Sequence, residues 1–229
     1  ILKNTFSISA LRILFGFPAP ILLALLINEI RNTKFKRAVQ TISYMPYFIS
    51  MVIICGLIKT FCQSDGIITD LVVALGGERV NLLASKNWFY PIYIISNIWQ
   101  NIGWDSIIYL AALAGIDQEQ YEAARVDGAG RIRQIISVTL PGLMPTITIL
   151  FILKMGNILN VGFEKILLLY SPTTYEVADV ISTYVYRIGI LDANFSYSTA
   201  IGLFNSVVNI IFLLLTNAIS KKMNNSGLF

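Results

Sequence analysis

Five long apolar segments constrain this chain more than any other feature of its sequence. They occupy residues 7–30, 39–61, 88–113, 143–169 and 198–219. Each exceeds the roughly 20 residues that an α-helix needs to cross the hydrocarbon core of a bilayer. Helices of this kind satisfy all of their backbone hydrogen bonds within the segment, as lipid requires. We therefore predict an all-α, polytopic transmembrane helical bundle that forms one domain over residues 1–229.

Composition supports a membrane protein and argues against a catalyst. Hydrophobic residues make up 55% of the chain and charged residues only 13%, whereas a soluble domain carries about a quarter charged residues. The chain has no histidine, so the commonest general base and metal ligand is missing. The G-x-x-x-x-G-K-S/T phosphate loop is also missing. We expect no catalytic residues, no metal site and no cofactor bound by this chain.

The cysteines and the prolines add local expectations. Cys55 and Cys62 would lie roughly 10 Å apart along one helix, which is too far for a disulfide, so buried thiols are predicted. Pro18 and Pro20 fall inside the first apolar segment and Pro46 inside the second. We expect Pro18 and Pro20 to bend or interrupt their helix, which membrane proteins tolerate where neighbouring groups satisfy the freed backbone.

Basic residues cluster in alternate connections between the apolar segments. Residues 31–37 carry four of them, residues 125–133 carry three, and Lys221 and Lys222 follow the last segment. The positive-inside rule places these connections and the C-terminus in the cytoplasm. The net charge of +4 is therefore a topology signal, and no nucleic-acid partner is expected.

The two remaining connections are predicted to lie outside. Residues 62–87 contain acidic residues, a turn at Gly76-Gly77, and apolar residues at helical spacing over 67–75. That spacing predicts a short amphipathic helix on the membrane surface. Residues 170–197 are polar and rich in tyrosine, and we expect them to form the other outer connection.

A polar island at residues 117–145 separates the third and fourth apolar segments. Asp117 with Gln120 three residues later predicts a helix start, and Gly128 is a natural left-handed stop for that helix. A second short helix is predicted over 131–138, and Pro141 and Pro145 are expected where the next membrane helix begins. The second helix presents an apolar face made of Ile132, Ile135 and Ile136.

The island resembles the EAA loop of the permease subunits of binding-protein-dependent ABC importers. The matching positions are Glu122, Ala123, Ala124, Asp127, Gly128, Ala129, Leu140 and Pro141. The resemblance extends over most of the chain. Residues 97–116 and 162–203 are similar to the oligosaccharide-type branch, which includes maltose, multiple-sugar and alginate importers.

This resemblance implies a type I ABC importer permease fold in a bacterial plasma membrane. The family usually has six membrane helices, so a first helix is expected upstream of the five present here. The implied partners are a second, homologous permease, two ATPase subunits that bind ATP and Mg, and an extracellular solute-binding protein. The loop at 117–140 would dock on an ATPase subunit and couple hydrolysis to alternating access. The implied substrate is a sugar or oligosaccharide.

Two features of the loop also have simpler explanations. Glu122 would contact the ATPase or brace the loop, but an acid near a helix start is also mildly stabilising by itself. The small residues Ala123, Ala124 and Ala129 would permit close packing against a partner, but alanine is also a good helix former.

Polar residues within the apolar segments are candidates for the solute path. Charged groups in a bilayer usually face water or a partner charge, and three polar faces could line one cavity. The third segment contributes Asn97, Asn101, Trp104 and Asp105 at i, i+4, i+7 and i+8, with Gln100 beside them. The fourth contributes Lys154, Asn157, Asn160 and Glu164, and the last contributes Asn205 and Asn209.

Other interpretations of these residues stay open. Asparagines in membrane helices also hold helices together by hydrogen bonds. Asp105 and Lys154 could form a buried ion pair, or Lys154 could face an acidic sugar. For the whole chain, the alternatives are a permease for another solute, a secondary transporter, and a membrane scaffold without an ATPase.

Overall fold

The regular structure of this protein is helical throughout the part that the structure, a computed structural model, describes, residues 1–224 and 227–228. Three helices are long and apolar enough to cross a bilayer, and the bent pair over residues 33–61 makes a fourth crossing if its two halves count as one span. A further helix, Lys86–Ala114, has the length, with 29 residues, but is less apolar. In chain order the longer helices are α1 (Leu2–Asn28), α2 (Thr33–Tyr44), α3 (Met51–Phe61), α4 (Ile67–Ala74), α5 (Lys86–Ala114), α6 (Gln118–Val126), α7 (Arg131–Met155), α8 (Phe163–Leu169), α9 (Tyr175–Ala178), α10 (Ile181–Tyr186) and α11 (Phe195–Asn224).

Helix α1 crosses the fold without the interruption that its prolines predict. It widens into a π-helical turn at Arg12–Gly16, where the amide of Phe17 donates to the carbonyl of Arg12 at 3.1 Å. Proline at position 18 has no N–H to donate and its ring crowds the preceding turn. The wider turn accommodates that ring, so the helix continues.

Helix α7 carries a second π-helical turn and corrects the predicted boundary of the island. The turn spans Ile135–Thr139 and precedes Pro141. The predicted short helix over 131–138 and the predicted start of the fourth span at 143 are both wrong, because one continuous helix covers Arg131–Met155. Of the two short helices predicted for the island, only α6 is separate from the long helices.

The second apolar segment is not one straight span. Helix α2 leads through a 3₁₀ turn at Met45–Phe48 into α3, and the two halves are bent by 97°. Pro46 lies in that turn and Ile49 is extended, so the helical hydrogen bonds stop there. The single span predicted for 39–61 is therefore wrong.

Helix α2 begins inside the predicted basic loop. The side chain of Asn32 accepts hydrogen bonds from the amides of Lys34 at 3.0 Å and Phe35 at 3.1 Å. Capping of these free N–H groups starts the helix at Thr33, so most of residues 31–37 are helical.

The fourth predicted span is also broken. Its helix ends at Met155, residues 156–162 form an irregular segment, and α8 follows as a separate short helix. Gly162 has φ +89°, a conformation that favours glycine. A Cβ at Gly156 would lie 2.6 Å from Leu213 of α11, so glycine also permits close packing there.

The helices pack around two groups of buried apolar residues. One surrounds Phe89 and Tyr93 in the first half of α5 and includes residues of α1, α3 and α8. The other surrounds Tyr109 and Leu113 in the second half of α5 and includes residues of α1 and α7. Because α5 contributes to both, it is the central helix of the bundle. Cys55 and Cys62 are buried free thiols, as predicted.

Two connections lie at the Lys86 end of α5. The first, residues 62–87, has the predicted structure, and the second, residues 170–197, contains more helix than predicted. The predicted helix over 67–75 is confirmed by α4, and Gly76 turns the chain with φ +91°. Residues 170–197 contain α9, α10 and a π-helical turn at Arg187–Leu191, so they are not a simple polar connection. Asn4 of α1 donates to the carbonyls of Glu176 at 2.9 Å and Asp179 at 3.0 Å, which ties this region to the bundle.

Candidate functional site

A small cavity lies where α1, α5 and α7 meet. Its volume is about 150 Å³, and the charged side chains that line it are Asp105 and Lys154. They lie within electrostatic range of each other and of Arg12. The remaining lining residues are Gly16, Phe17, Pro20, Ile108, Tyr109 and Leu150.

Asp105 and Lys154 do not make a direct salt bridge. The ion pairs within 4.0 Å among the described residues are Arg79–Asp70, Lys86–Glu176 and Arg187–Asp179. The buried ion pair considered for Asp105 and Lys154 is therefore replaced by two opposite charges on the walls of one cavity. Such an arrangement leaves room for water or for a polar group of a ligand.

The polar residues predicted to share one face of α5 lie in different environments. Gln100 is buried and accepts a 3.4 Å hydrogen bond from Lys165 of α8. Asn101 donates to the carbonyl of Asn97 in its own helix at 2.8 Å. Both asparagines are half-buried, so their side chains still border the space beside the helix.

Trp104 belongs to an aromatic cluster that the sequence did not predict. Its ring stacks on Tyr47, with centroids 4.5 Å apart and an interplanar angle of 4°, and meets Phe48 edge-on at 5.4 Å. Tyr47 and Phe48 lie in the turn where the second segment bends. All three rings are exposed. Aromatic faces of this kind can stack on the apolar faces of ligand rings.

The irregular segment 156–162 is held by side chains from three other helices. Ser9 and Arg12 of α1 donate to the carbonyls of Ile158 and Asn160, the second bond at 2.9 Å. Tyr93 of α5 donates to the carbonyl of Val161. Backbone that is not helical must find partners of this kind at membrane depth.

Asn209 and Asn205 of α11 complete this arrangement. The side-chain oxygen of buried Asn209 accepts a hydrogen bond from the amide of Leu159 at 3.2 Å. Asn205 donates to the side chain of Asn160 at 3.2 Å, and Asn160 donates to Asn157 at 3.1 Å. Asn209 thus has the helix-connecting contact that was considered as the alternative to a place in the path.

The shared helical face predicted for the fourth segment is wrong. Lys154 is on α7, but Asn157 and Asn160 follow the end of that helix, and Glu164 is in α8. Asn157, Asn160 and Glu164 are exposed. Exposure keeps them available to a solute, and their place in the path stays a prediction.

Lys165 is a buried cation that the sequence did not identify. It is 1% exposed, and its ammonium lies 5.9 Å from the ring centroid of Tyr93 in addition to its bond with Gln100. The break before α8 turns this helix into the bundle, which no local pattern signals.

The island has the predicted first helix and turn. Asp117 accepts a hydrogen bond from the amide of Glu119 at 3.0 Å, so it starts α6, although the reciprocal bond expected from Gln120 is not formed. Gly128 has φ +78°, the predicted left-handed conformation. The amide of Ala129 closes the turn on the carbonyl of Ala124 at 2.9 Å.

Side chains fix the island against the start of α7. The hydroxyls of Tyr121 and Thr139 are 3.1 Å apart, and Gln134 donates to the carbonyl of Ala129 at 2.7 Å. Glu122, Ala123 and Asp127 are exposed, whereas Ala124 and Ala129 are half-buried. Glu122 makes no side-chain hydrogen bond or ion pair with the described residues, so it does not brace the loop from within this chain.

An exposed apolar surface of the island consists of Val126, Ile132 and Ile136. Val126 is 88% exposed and was not predicted to belong to it. Ile135 is half-buried and lines a cavity, so the predicted face of three isoleucines retains two of them. In α7, Leu140 is half-buried and Pro141 is exposed.

That cavity brings the first basic connection to the island. Its volume is about 650 Å³, and it is lined by Asn28, Glu29 and Arg31 from the end of α1 together with Arg125 and Arg131 of the island. The two connections that are rich in basic residues therefore lie at the same end of the bundle.

Known proteins are similar to this chain over nearly its whole length. Residues 16–225 match the family described as "Binding-protein-dependent transport system inner membrane component". The protein LplB of Bacillus subtilis (strain 168) is 46% identical over all of this chain and 72% of its own length. A polygalacturonan/rhamnogalacturonan transport system permease protein, YteP, of the same organism shows the same identity and coverage.

A solved structure is similar in both fold and sequence. It is a chain of a bacterial alginate ABC transporter in complex with a periplasmic protein that holds an alginate pentasaccharide. The TM-score is 0.94 and the identity is 50%, over 99% of this chain and 79% of that chain.

Asn209 provides a test of the contacts around residues 156–162. Replacement of Asn209 by leucine removes the acceptor for the buried amide of Leu159, and an unpaired buried donor costs about 1–3 kcal/mol. We expect a lower unfolding temperature for the purified protein. Asn157→Leu is the control, because Asn157 is exposed and its side-chain hydrogen bonds, to Leu153 at 3.4 Å and from Asn160 at 3.1 Å, are local ones that water can replace. If Asn209→Leu unfolds like the wild type but transports poorly, Asn209 acts in the path instead.

Proposed function

Because the chain belongs to the family of binding-protein-dependent transport system inner membrane components, we propose that it forms part of the path of an ABC importer for acidic oligosaccharides. Its role as a sugar permease follows from relatives that are permeases for sugars and oligosaccharides. The observation that carries the acidic substrate is the cavity between α1, α5 and α7, where Lys154 presents a cation. Two of the similar proteins are named for polygalacturonan/rhamnogalacturonan and alginate transport.

The groups around that cavity suit a hydroxylated anion. Lys154 attracts a carboxylate, and Asp105 opposite it accepts hydrogen bonds from sugar hydroxyls. Trp104, which directly precedes Asp105 in α5, stacks on Tyr47, and the two rings offer exposed aromatic faces. The half-buried amides of Asn97 and Asn101 extend the polar surface along the same helix. We assign these residues to the solute path.

Transport requires the path to open to each side in turn. An importer of this class moves one helical bundle against another around a site at membrane depth. The bend between α2 and α3 and the break before α8 are the places where helices already change direction. Energy from ATP can shift such an equilibrium only if the nucleotide states bind the two forms of the permease differently.

Coupling to ATP is assigned to the island. The exposed Val126, Ile132 and Ile136 give an apolar surface that an ATPase subunit could bury as a helix in a groove. ATP and Mg would be bound by two such subunits, and a second, homologous permease would complete the path. An extracellular binding protein would deliver the solute. Family membership favours this assembly over a secondary transporter or a scaffold.

The island and Arg31 are assigned to the cytoplasmic side. They lie together at one end of the bundle, and the positive-inside rule then orients that end. The other end carries the Lys86–Glu176 and Arg79–Asp70 pairs. There the hydrogen bond from Lys86 holds the pKa of Glu176 below its ordinary value, so this carboxylate is charged at neutral pH.

Lys154 tests the proposed substrate class. Lys154→Gln should reduce uptake of an acidic oligosaccharide about tenfold or more, because a hydrogen bond to a charged group contributes about 1.5–3 kcal/mol. Uptake of a neutral oligosaccharide, if the wild type carries one, should change much less. Lys59→Gln, at an exposed cation of α3 outside the cavity, is the control. Equal loss for both sugars would show that Lys154 acts through Asp105 and not through the solute.

Gly128 tests the coupling role of the island. An L-residue in the left-handed conformation costs about 1–2 kcal/mol, so Gly128→Ala should weaken capture of the ATPase and Gly128→Val should weaken it more. Gly130→Ala is a matched control, because Gly130 has an ordinary φ of −68° and an added Cβ would meet nothing at either position. Pull-down of the ATPase with transport measured in parallel decides the matter. Normal docking and transport in Gly128→Val would remove the island as the coupling element.

Cysteine labelling tests the orientation. Single cysteines at Lys34 and Arg131 should resist a membrane-impermeant reagent added to intact cells, whereas cysteines at Asp70 and Glu176 should react. All four positions are exposed, and the natural cysteines are buried, so the background should be low. Labelling at Arg131 without labelling at Glu176 would reverse the assigned topology.

A further inference from the structure

Helix α2 leaves one of its long faces exposed in the part of the chain that the structure describes. Its inner face packs on α5, where Ser43 lies against Gly103 so closely that a Cβ at Gly103 would overlap the carbonyl of Ser43. None of its twelve residues is buried. The opposite face is open, and it is lined by Thr33, Lys34, Arg37, Ala38, Thr41 and Ile42.

Cations and hydroxyls occupy one edge of this open face. Lys34, Arg37 and Thr41 are spaced at i, i+3 and i+7, which places them on one side of the helix. The helix contains no acidic residue, and the ion pairs among the described residues involve neither Lys34 nor Arg37. These two charges are therefore exposed and available to an anion.

Apolar side chains occupy the other edge. Phe35, Ile42 and Met45 are exposed, and Ile42 is 69% exposed. On a helix with 3.6 residues per turn, Phe35 and Ile42 lie on one side. Met45 is the first residue of the 3₁₀ turn that follows the helix. A cationic edge beside an apolar edge is the pattern of a helix that lies between lipid headgroups and acyl chains.

The position of α2 along the bundle agrees with that pattern. Arg31, just before the helix, lines the cavity shared with Arg125 and Arg131, so this end lies at the polar island. The other end leads into the turn at Pro46 and the aromatic cluster of Trp104. The cations therefore lie toward the polar boundary, and Ile42 and Met45 lie toward the apolar interior.

We propose that the open face of α2 is a binding site for an anionic phospholipid. The Arg37 guanidinium and the Lys34 ammonium bind the headgroup phosphate, since arginine matches phosphate oxygens with two parallel hydrogen bonds. Thr41 adds a hydroxyl donor, and an acyl chain lies along Ala38, Ile42 and Met45. The alternative occupant is an acidic surface of a partner subunit. Such a surface would pair with the cations, but it would not explain the apolar edge beside them.

The test compares lipid retention by the purified importer complex. The complex is incubated with equal amounts of phosphatidylglycerol and phosphatidylcholine, and the retained lipids are counted by native mass spectrometry. The wild type should retain phosphatidylglycerol preferentially. Each cation near a charged lipid surface contributes a factor of about five in affinity, so the double variant Lys34→Gln, Arg37→Gln should lose roughly 25-fold of this preference.

Three controls make the outcome decisive. Lys221→Gln with Lys222→Gln removes two exposed cations elsewhere and should keep the preference, as should the charge-preserving pair Lys34→Arg, Arg37→Lys. Inorganic phosphate should not displace the lipid, because it lacks the acyl chain. The proposal is overturned if the glutamine pair retains phosphatidylglycerol normally, if phosphate displaces the lipid, or if that pair loses the second permease, which would make this face a subunit interface.

Discussion

The structure depends on supplying hydrogen-bond partners to backbone that leaves the helical form inside the membrane. Residues 156–162 are the clearest case, because they interrupt the fourth apolar segment and lie among the long helices. Side chains of α1, α5 and α11 bond to this segment, including Arg12, Tyr93 and Asn209. In lipid an unpaired peptide group costs several kcal/mol. This requirement fixes α1, α5 and α11 around the segment and so determines the packing of the bundle.

The same requirement explains why polar residues in this chain have two different uses. Those beside the irregular segment are engaged by the backbone, as Asn209 is with Leu159. Others, such as Lys154 and Asp105, face a cavity and form no ion pair with another described residue. The proposed path therefore includes only some of the polar residues. The others stabilise the irregular segment 156–162 beside it.

The sequence predicted the parts of the fold that depend on local chemistry. Long apolar runs located the long helices, Asp117 and Gly128 marked the ends of α6, and the resemblance of the island indicated the family. It did not predict the breaks, because Pro46 ends a helix whereas Pro18 and Pro141 follow π-helical turns that let the helix continue. The outcome at each proline depends on tertiary packing. The burial of Lys165 and the stacking of Trp104 on Tyr47 depend on those breaks. They therefore could not be predicted from the sequence either.

The π-helical turn at Ile135–Thr139 sets an angular phase along α7. Each residue advances an α-helix by about 100°, and a π-helical turn holds one residue more than an α-helical turn. The island is fixed to the helix before this turn, and Lys154 lies after it. The extra residue therefore determines the angular position of Lys154 around the axis of α7, relative to the island. A straight α-helix with the same residues would rotate Lys154 by about 100° relative to the island and aim the cation away from the cavity, whereas deletion of one residue in the turn would restore its direction.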